Sequence, residues 1–177
     1  MRYQELHDEY NNLLNSYSAL QLELSSLPKG ALSTKTISGK EYVYHQYTSN
    51  GKRVSKCLKE NEAIEMACKI EKREKAKTEL EYVLAELSRL ESAVNILDKG
   101  MGRLFSFLRQ CADMDAVPVA KRANALSFAK AMTALEGLPA RQKTEDNLAA
   151  WSEGRTRFAD IYIPVLREYN VLEVAYE

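Results

Sequence analysis

Histidine is scarce in this chain, and its scarcity limits the chemistry that the protein can carry out. The only histidines are His7 and His45, and neither stands beside a nucleophile or at the spacing of a metal-ligand motif. The sequence also lacks a glycine-rich phosphate loop. It therefore predicts no enzyme activity, no cofactor and no bound metal.

Cysteines and long apolar runs are scarce as well. Cys57, Cys68 and Cys111 are widely spaced and form no Cys-x-x-Cys pair, which is typical of free thiols in a reducing compartment. No apolar run approaches the roughly 20 residues that a membrane-spanning helix needs, and no secretory signal pattern opens the chain. We therefore expect a cytoplasmic protein that makes no membrane contact.

Net charge is absent too, because 25 Lys and Arg side chains balance 25 Asp and Glu side chains. Neutrality argues against bulk binding of polyanions, although local basic patches can still bind them. Hydrophobic residues make up 45% of the 177 residues, which indicates folding into one or two small domains rather than disorder.

Two apolar heptad seams are present in the first part of the chain. A helix cannot bury such a seam by itself, so the seams predict either an antiparallel helix pair within the chain or a homodimeric coiled coil. The sequence does not choose between these alternatives. The seams are Leu6, Tyr10, Leu13, Tyr17, Leu20, Leu24 and Leu27 in residues 2–27, and Leu80, Val83, Leu87, Leu90, Val94 and Leu97 in residues 60–97.

Three strands are predicted between these helices, at residues 31–37, 41–48 and 53–58, where β-branched and aromatic residues are frequent. Ser38-Gly39-Lys40 is the expected first turn, and Asn50-Gly51 favours a type I′ hairpin. The predicted fold is mainly α with a small antiparallel β-meander. The meander caps an antiparallel coiled-coil helix pair, and a C-terminal three-helix domain follows. The expected domains are a coiled-coil and meander module at 1–98, a short helix and linker at 99–118, and a helical domain at 119–177.

The meander is strongly basic although the chain is neutral. Residues 29–59 contain seven Lys and Arg side chains and one Glu. Basic residues interleaved with tyrosines can follow a nucleic-acid backbone and stack on bases. The alternative interpretation is that the lysines protect exposed strand edges from aggregation. The candidate contacts are Lys35, Lys40, Tyr42, Tyr44, Lys52, Arg53 and Lys56.

A helix is predicted to end near Gly137 and Pro139, because these residues are typical of helix C-termini. Glu136 then falls in the last turn, where the helix dipole disfavours a negative charge. Such a carboxylate is either simply solvated or held for a partner. Ala125, Phe128, Met132 and Leu135 form one apolar stripe on the same helix.

The segment 131–138, a polar loop, an Asn147–Trp151 helix, Glu153-Gly154 and a last helix resemble the VbhA-type antitoxins. These are small three-helix proteins that inhibit Fic-domain toxins, which transfer AMP from ATP to a hydroxyl of a target protein. The resemblance implies that Glu136 pairs with an arginine of a Fic-type toxin and blocks productive placement of the ATP γ-phosphate. Gly137 would be the small residue that follows. The family's hydroxyl position is occupied by Met132, so Thr133 is the nearest hydroxyl.

A second resemblance concerns the N-terminal part. Leu27-Pro28-x-Gly30, a Gly-Lys-x-Tyr-x-Tyr strand and a Gly-Lys-Arg-Val strand before a long helix resemble uncharacterised helix, β-meander and long-helix modules of bacterial and mobile-element proteins. This resemblance implies architecture only. The alternative to an antitoxin is a coiled-coil adaptor or nucleic-acid-binding module of a mobile element.

Overall fold

The fold is mainly α-helical with one small antiparallel sheet, as predicted. The computed structural model describes residues 2–135 and 142–168. The sheet has the strand order β1-β2-β3, and both pairings are antiparallel. The elements are α1 (Arg2–Ser26), β1 (Ala31–Ile37), β2 (Lys40–Ser49), β3 (Lys52–Leu58), α2 (Glu60–Leu97), α3 (Lys99–Asp115), α4 (Val119–Leu135), α5 (Gln142–Ser152) and α6 (Phe158–Glu168).

The chain divides into two compact units. The sheet unit is Glu23–Glu81, and the helical unit combines Met1–Leu22 with Tyr82–Glu177. Helices α1 and α2 each contribute residues to both units, so this division falls within these helices. It therefore differs from the boundaries at 98 and 118 that the sequence analysis gave.

Tight turns set the register of the sheet unit. Ser38 and Gly39 have φ angles of 51° and 79°, and Asn50 and Gly51 have 50° and 74°. Positive φ at both central residues is the mark of a type I′ turn, whose twist matches that of the two flanking strands. The predicted strands agree with the observed ones to within one residue at either end.

The end of α1 is held within the sheet unit by a side chain of α2. The guanidinium of Arg73 donates hydrogen bonds to the carbonyl oxygens of Leu24 (2.5 Å) and Leu27 (3.2 Å). These carbonyls lie at a helix C-terminus, where no intrahelical donor is left for them. Lys72 adds an ion pair of 2.9 Å with Glu23.

Aromatic contacts join α1 to α3 in the helical unit. Tyr10 is fully buried, and its ring stacks on that of Phe105 with 3.8 Å between centroids. Its hydroxyl donates to a carboxylate oxygen of Glu91 on α2, at 2.6 Å. Farther along α1, the Tyr17 hydroxyl donates to Asp113 at 2.7 Å. Because contacts advance together along α1 and α3, these helices are parallel, and α2 runs antiparallel to both.

The predicted seams are largely buried by the chain itself. Leu14, which was not included in the first seam, is also buried. The prediction for Leu97 is wrong: this side chain is 78% exposed, because α2 ends there and the chain reverses into α3. A homodimer through the seams stays a prediction. The buried seam residues are Tyr10, Tyr17, Leu20 and Leu24 of α1, and Val83, Leu87, Leu90 and Val94 of α2.

Helix α3 is longer than the short helix predicted within residues 99–118, so the connection to α4 is limited to residues 116–118. Asp98 forms the N-cap by accepting hydrogen bonds from the backbone N–H groups of Gly100 and Met101. The helix continues to Asp115. Asp113 and Asp115 remain in it because both carboxylates have tertiary hydrogen-bond partners, which outweigh their low helix propensity.

The C-terminal helices pack around an aromatic group. The Trp151 and Phe158 rings lie 5.2 Å apart, and the Phe158 and Tyr162 rings 5.6 Å apart. Thr144, a residue type that is typical of N-caps, lies inside α5. The N–H of Phe158, the first residue of α6, donates to the Asp115 carboxylate at 3.0 Å.

Helix α6 contains Pro164 in its interior. The helix nevertheless continues without interruption from Phe158 to Glu168.

Candidate nucleic-acid interface

Most of the predicted nucleic-acid contacts lie on one face of the sheet. Residues that are paired directly across neighbouring strands share a face, and successive residues of a strand alternate between faces. Lys35 pairs with Tyr42, Ile37 with Lys40, and Thr48 with Arg53. Following this alternation along β2, we define the basic face by Lys35, Lys40, Tyr42, Tyr44 and Arg53.

The opposite face is the packed one. His45 is 6% exposed and Leu58 is 8% exposed, and both lie on this side. The Nε2 atom of His45 is 2.8 Å from the carbonyl oxygen of Lys29, and the His45 ring stacks on Tyr47 with 4.9 Å between centroids. This burial explains why the basic face is the one that remains open to solvent.

Lys52 and Lys56 do not join the basic face. Lys56 pairs with His45, and Lys52 pairs with Ser49, so both belong to the packed side. Both side chains are nevertheless exposed, since β3 is an edge strand. The structure therefore brings together five of the seven predicted contacts and separates these two.

The two tyrosines of the basic face are in different environments. Tyr42 is 38% exposed. Tyr44 is half-buried, and the Lys35 ammonium lies over its ring, 5.1 Å from the centroid. At this distance the ring quadrupole attracts the cation, which fixes the direction of an otherwise flexible side chain.

The basic face has one sign of charge. Within the sheet, all of which the structure describes, Glu41 is the single acidic residue, and its pairing with Thr36 places it on the packed side. Lys35, Lys40 and Arg53 are exposed, and no carboxylate neutralises them within this face. Gln46 and Ser33, which also lie on this face, are uncharged, and Gln46 donates a 2.9 Å hydrogen bond to Ser33.

The predicted inhibitory motif is only partly within the described structure. Thr133 lies in the last turn of α4, whereas Glu136 and Gly137 lie outside the described residues. Earlier in the same helix, Ala125 is exposed and Phe128 is 70% exposed. The described part of the predicted apolar stripe is therefore open to solvent.

A cluster that the sequence analysis missed joins three segments of the helical unit. The Asp115 carboxylate accepts hydrogen bonds from Trp151 Nε1 (2.9 Å) and from the Phe158 N–H (3.0 Å). Arg122 is 5% exposed, and it donates to the carbonyl oxygens of Asp115, Val117 and Trp151. No local sequence signal marks this cluster. Asp115 and Arg122 are distant in sequence from Trp151, and Asp115 is distant from Phe158.

An open groove of about 450 Å³ borders this cluster, but its charges are already paired. Arg157 contacts Asp160 at 2.9 Å, and Arg155 contacts Glu153 at 2.6 Å. Burial raises the pKa of the nearby Cys111 thiol to about 12, so this cysteine is neutral and a weak nucleophile. Among residues 2–135 and 142–168, no group of three His, Cys, Asp or Glu side chains is placed to hold a metal.

Comparison with known proteins gives one partial match. Residues 3–67 match the model of a family described as a domain of unknown function, DUF6788. This segment contains α1, the whole sheet and the start of α2, and therefore the complete basic face. No curated protein and no solved structure matches the chain. In the part of the chain that the structure describes, no helix is both long and apolar enough to cross a membrane.

Proposed function

We propose that this protein binds nucleic acid through the basic face of its sheet. The observation that carries the proposal is the segregation of charge in the sheet: Lys35, Lys40 and Arg53 are exposed beside two tyrosines, and the acidic residue lies on the other side. A phosphate backbone is the ligand that suits a surface of one positive sign with aromatic rings between the charges.

The position of the charges argues against edge protection as their main role. Lysines that only protect the strand edges have no reason to gather beside tyrosines. Binding that uses three cations should release counterions and weaken with salt, with a log–log slope of about −2 for a single strand.

The first test uses two double variants that remove the same charge from the same sheet. Lys35→Gln with Arg53→Gln removes two cations of the basic face, whereas Lys52→Gln with Lys56→Gln removes two from the packed side. We expect the first variant to bind a labelled oligonucleotide about tenfold more weakly at physiological salt, with the salt slope reduced by about 1.4. Fluorescence anisotropy across a salt series measures both quantities.

The control variant should bind within about twofold of the unaltered protein, because its lysines point away from the ligand. Equal loss in both variants would mean that net charge, and not the basic face, governs binding. That result would overturn the proposal.

A second candidate function is inhibition of a Fic-type toxin. Two observations favour it. Helices α4, α5 and α6 follow one another in the chain, α5 packs on both neighbours, and Lys130 pairs with Glu145 at 3.5 Å, which supports a small three-helix domain. In addition, α4 leaves Phe128 of the predicted apolar stripe exposed. The proposed step is a charge-assisted pair between Glu136 and a toxin arginine, which keeps that arginine from orienting ATP.

The test of this candidate is co-expression with the Fic-type protein of a neighbouring gene. Glu136→Gly should release the toxin, seen as growth arrest and AMP transfer, while co-purification of the two proteins is retained. Glu153→Gly is the matched control, because Glu153 is an exposed glutamate that also precedes a glycine, and this variant should still suppress toxicity. Full suppression by Glu136→Gly would show that this carboxylate is not the inhibitory group.

A further inference from the structure

We infer that the basic face takes a single strand of nucleic acid lying along β2, with one base stacked on Tyr42 and with Tyr44 acting as a positioning residue for Lys35. This inference rests on the proposed function and deepens it by naming the substrate class. It starts from the different surroundings of the two tyrosines.

Tyr42 is the ring that is available to a base. It is 38% exposed, it lies on the central strand, and its cross-strand partner Lys35 directs its ammonium towards Tyr44. An aromatic ring in this position can cover one face of a planar base, and such stacking accepts any base because each has a π-face. The contact is therefore sequence-tolerant.

Tyr44 has a different role because one face of its ring is already occupied. The Lys35 ammonium lies 5.1 Å from the ring centroid, and Tyr44 is only half-buried. The ring holds the cation above the sheet surface, where a phosphate can reach it. Tyr44 thus acts on the nucleic acid through Lys35.

The charges define a path along β2. Lys40 and Lys35 lie near one end of this strand, and Arg53 pairs with Thr48 near the other end. Tyr42 and Thr48 are six residues apart, which corresponds to about 20 Å in an extended strand. A path of this length suits a backbone segment on the order of four nucleotides.

An open sheet face of this kind favours unpaired bases. In a duplex the faces of the bases are covered by their stacked neighbours, so a ring on a sheet surface can reach only the phosphates. Lys35, Lys40 and Arg53 can contact the phosphates of either form, but Tyr42 can gain a stacking contact only from a single strand. Tyr42 should therefore set the preference between the two forms.

The experiment compares the affinity of the full chain for a labelled single strand and for the duplex of the same sequence, as DNA and as RNA. The unaltered protein should prefer the single strand for at least one of the two sugars. Tyr42→Leu should weaken single-strand binding about tenfold and leave duplex binding unchanged, whereas Tyr42→Phe keeps the preference. Tyr44→Leu should weaken both forms by a similar factor of about three, because it releases Lys35 from its position.

Each outcome bears on a separate claim. Binding with equal affinity for both forms would overturn this inference and leave the proposed function standing, whereas failure to bind either form would overturn the proposed function itself. An unchanged preference in Tyr42→Leu would exclude Tyr42 as the stacking residue. Circular dichroism verifies the fold, and Tyr42→Thr, which keeps a strand-forming side chain, replaces Tyr42→Leu if the latter unfolds.

Discussion

Replacing Arg122 by methionine is expected to lower the free energy of unfolding of the helical unit by about 3 kcal/mol. Arg122 is 5% exposed, and its guanidinium lies 5.1 Å from the centre of the Trp151 ring. Its three donors satisfy carbonyl oxygens at the ends of α3 and α5 and in the connection to α4. Methionine fills much of the same volume but donates no hydrogen bond, so one buried and two half-buried carbonyls lose their partner.

The matched control for Arg122 is Arg155→Met. The Arg155 side chain is 63% exposed and forms a surface ion pair with Glu153, which contributes little to stability. We expect this variant to differ from the unaltered protein by less than about 0.5 kcal/mol. Urea unfolding followed by the fluorescence of Trp151, the single tryptophan, measures both variants. Equal losses in the two variants would contradict the role given to Arg122.

The second large effect is expected for Gly30→Ala, which should destabilise the sheet unit by about 3 kcal/mol. Gly30 has a φ angle of +106°, a conformation that residues with a Cβ rarely adopt. A Cβ atom at this position would also clash with the carbonyl oxygen of Gln46 and contact Tyr47. Because the obstacle is backbone of the central strand, the strand pairing itself has to move.

Gly39→Ala separates the effect of the positive φ angle from the effect of the steric clash. Gly39 also has a positive φ angle, +79°, but a Cβ atom there would meet nothing within 4 Å. This variant should therefore cost only the conformational strain of about 1 kcal/mol. Hydrogen exchange of the β1 and β2 amides, compared between the two variants, reports on the sheet directly. A Gly30→Ala protein with the same protection as Gly39→Ala would show that the close approach to Gln46 is easily relieved.

The local features of the fold could be predicted from the sequence, because their causes are local. Asn50-Gly51 is sufficient to predict a two-residue hairpin turn. The heptad spacing predicted a helix at residues 60–97, which are the observed limits of α2, Glu60–Leu97. The two tight turns also fix the register of the sheet. Once the register is known, the alternation of faces separates Arg53 from its neighbour Lys52. The number of charges in a strand does not by itself separate these two residues.

The contacts that depend on distant residues could not be predicted. Asp115 remains helical and caps α6 because Trp151 and Phe158 donate to it from 36 and 43 residues away. An isolated Asp-Met-Asp segment followed by Ala-Val-Pro has the composition of a linker, so the local sequence does not indicate that α3 continues to Asp115. Arg122 likewise resembles any charged residue of an exposed helix. Its burial depends on Trp151, which belongs to a different helix.

The division into two units has a consequence for how the chain folds during synthesis. The sheet unit is one continuous stretch, Glu23–Glu81, so all its contacts become available as soon as this stretch has left the ribosome. The helical unit is discontinuous in sequence. Tyr10 can form its contacts only after Glu91 and Phe105, 81 and 95 residues farther along the chain, have been synthesised. The sheet with its basic face can therefore fold while the first turns of α1 still lack their partners. The helical unit folds last, although it contains the first residues to be synthesised.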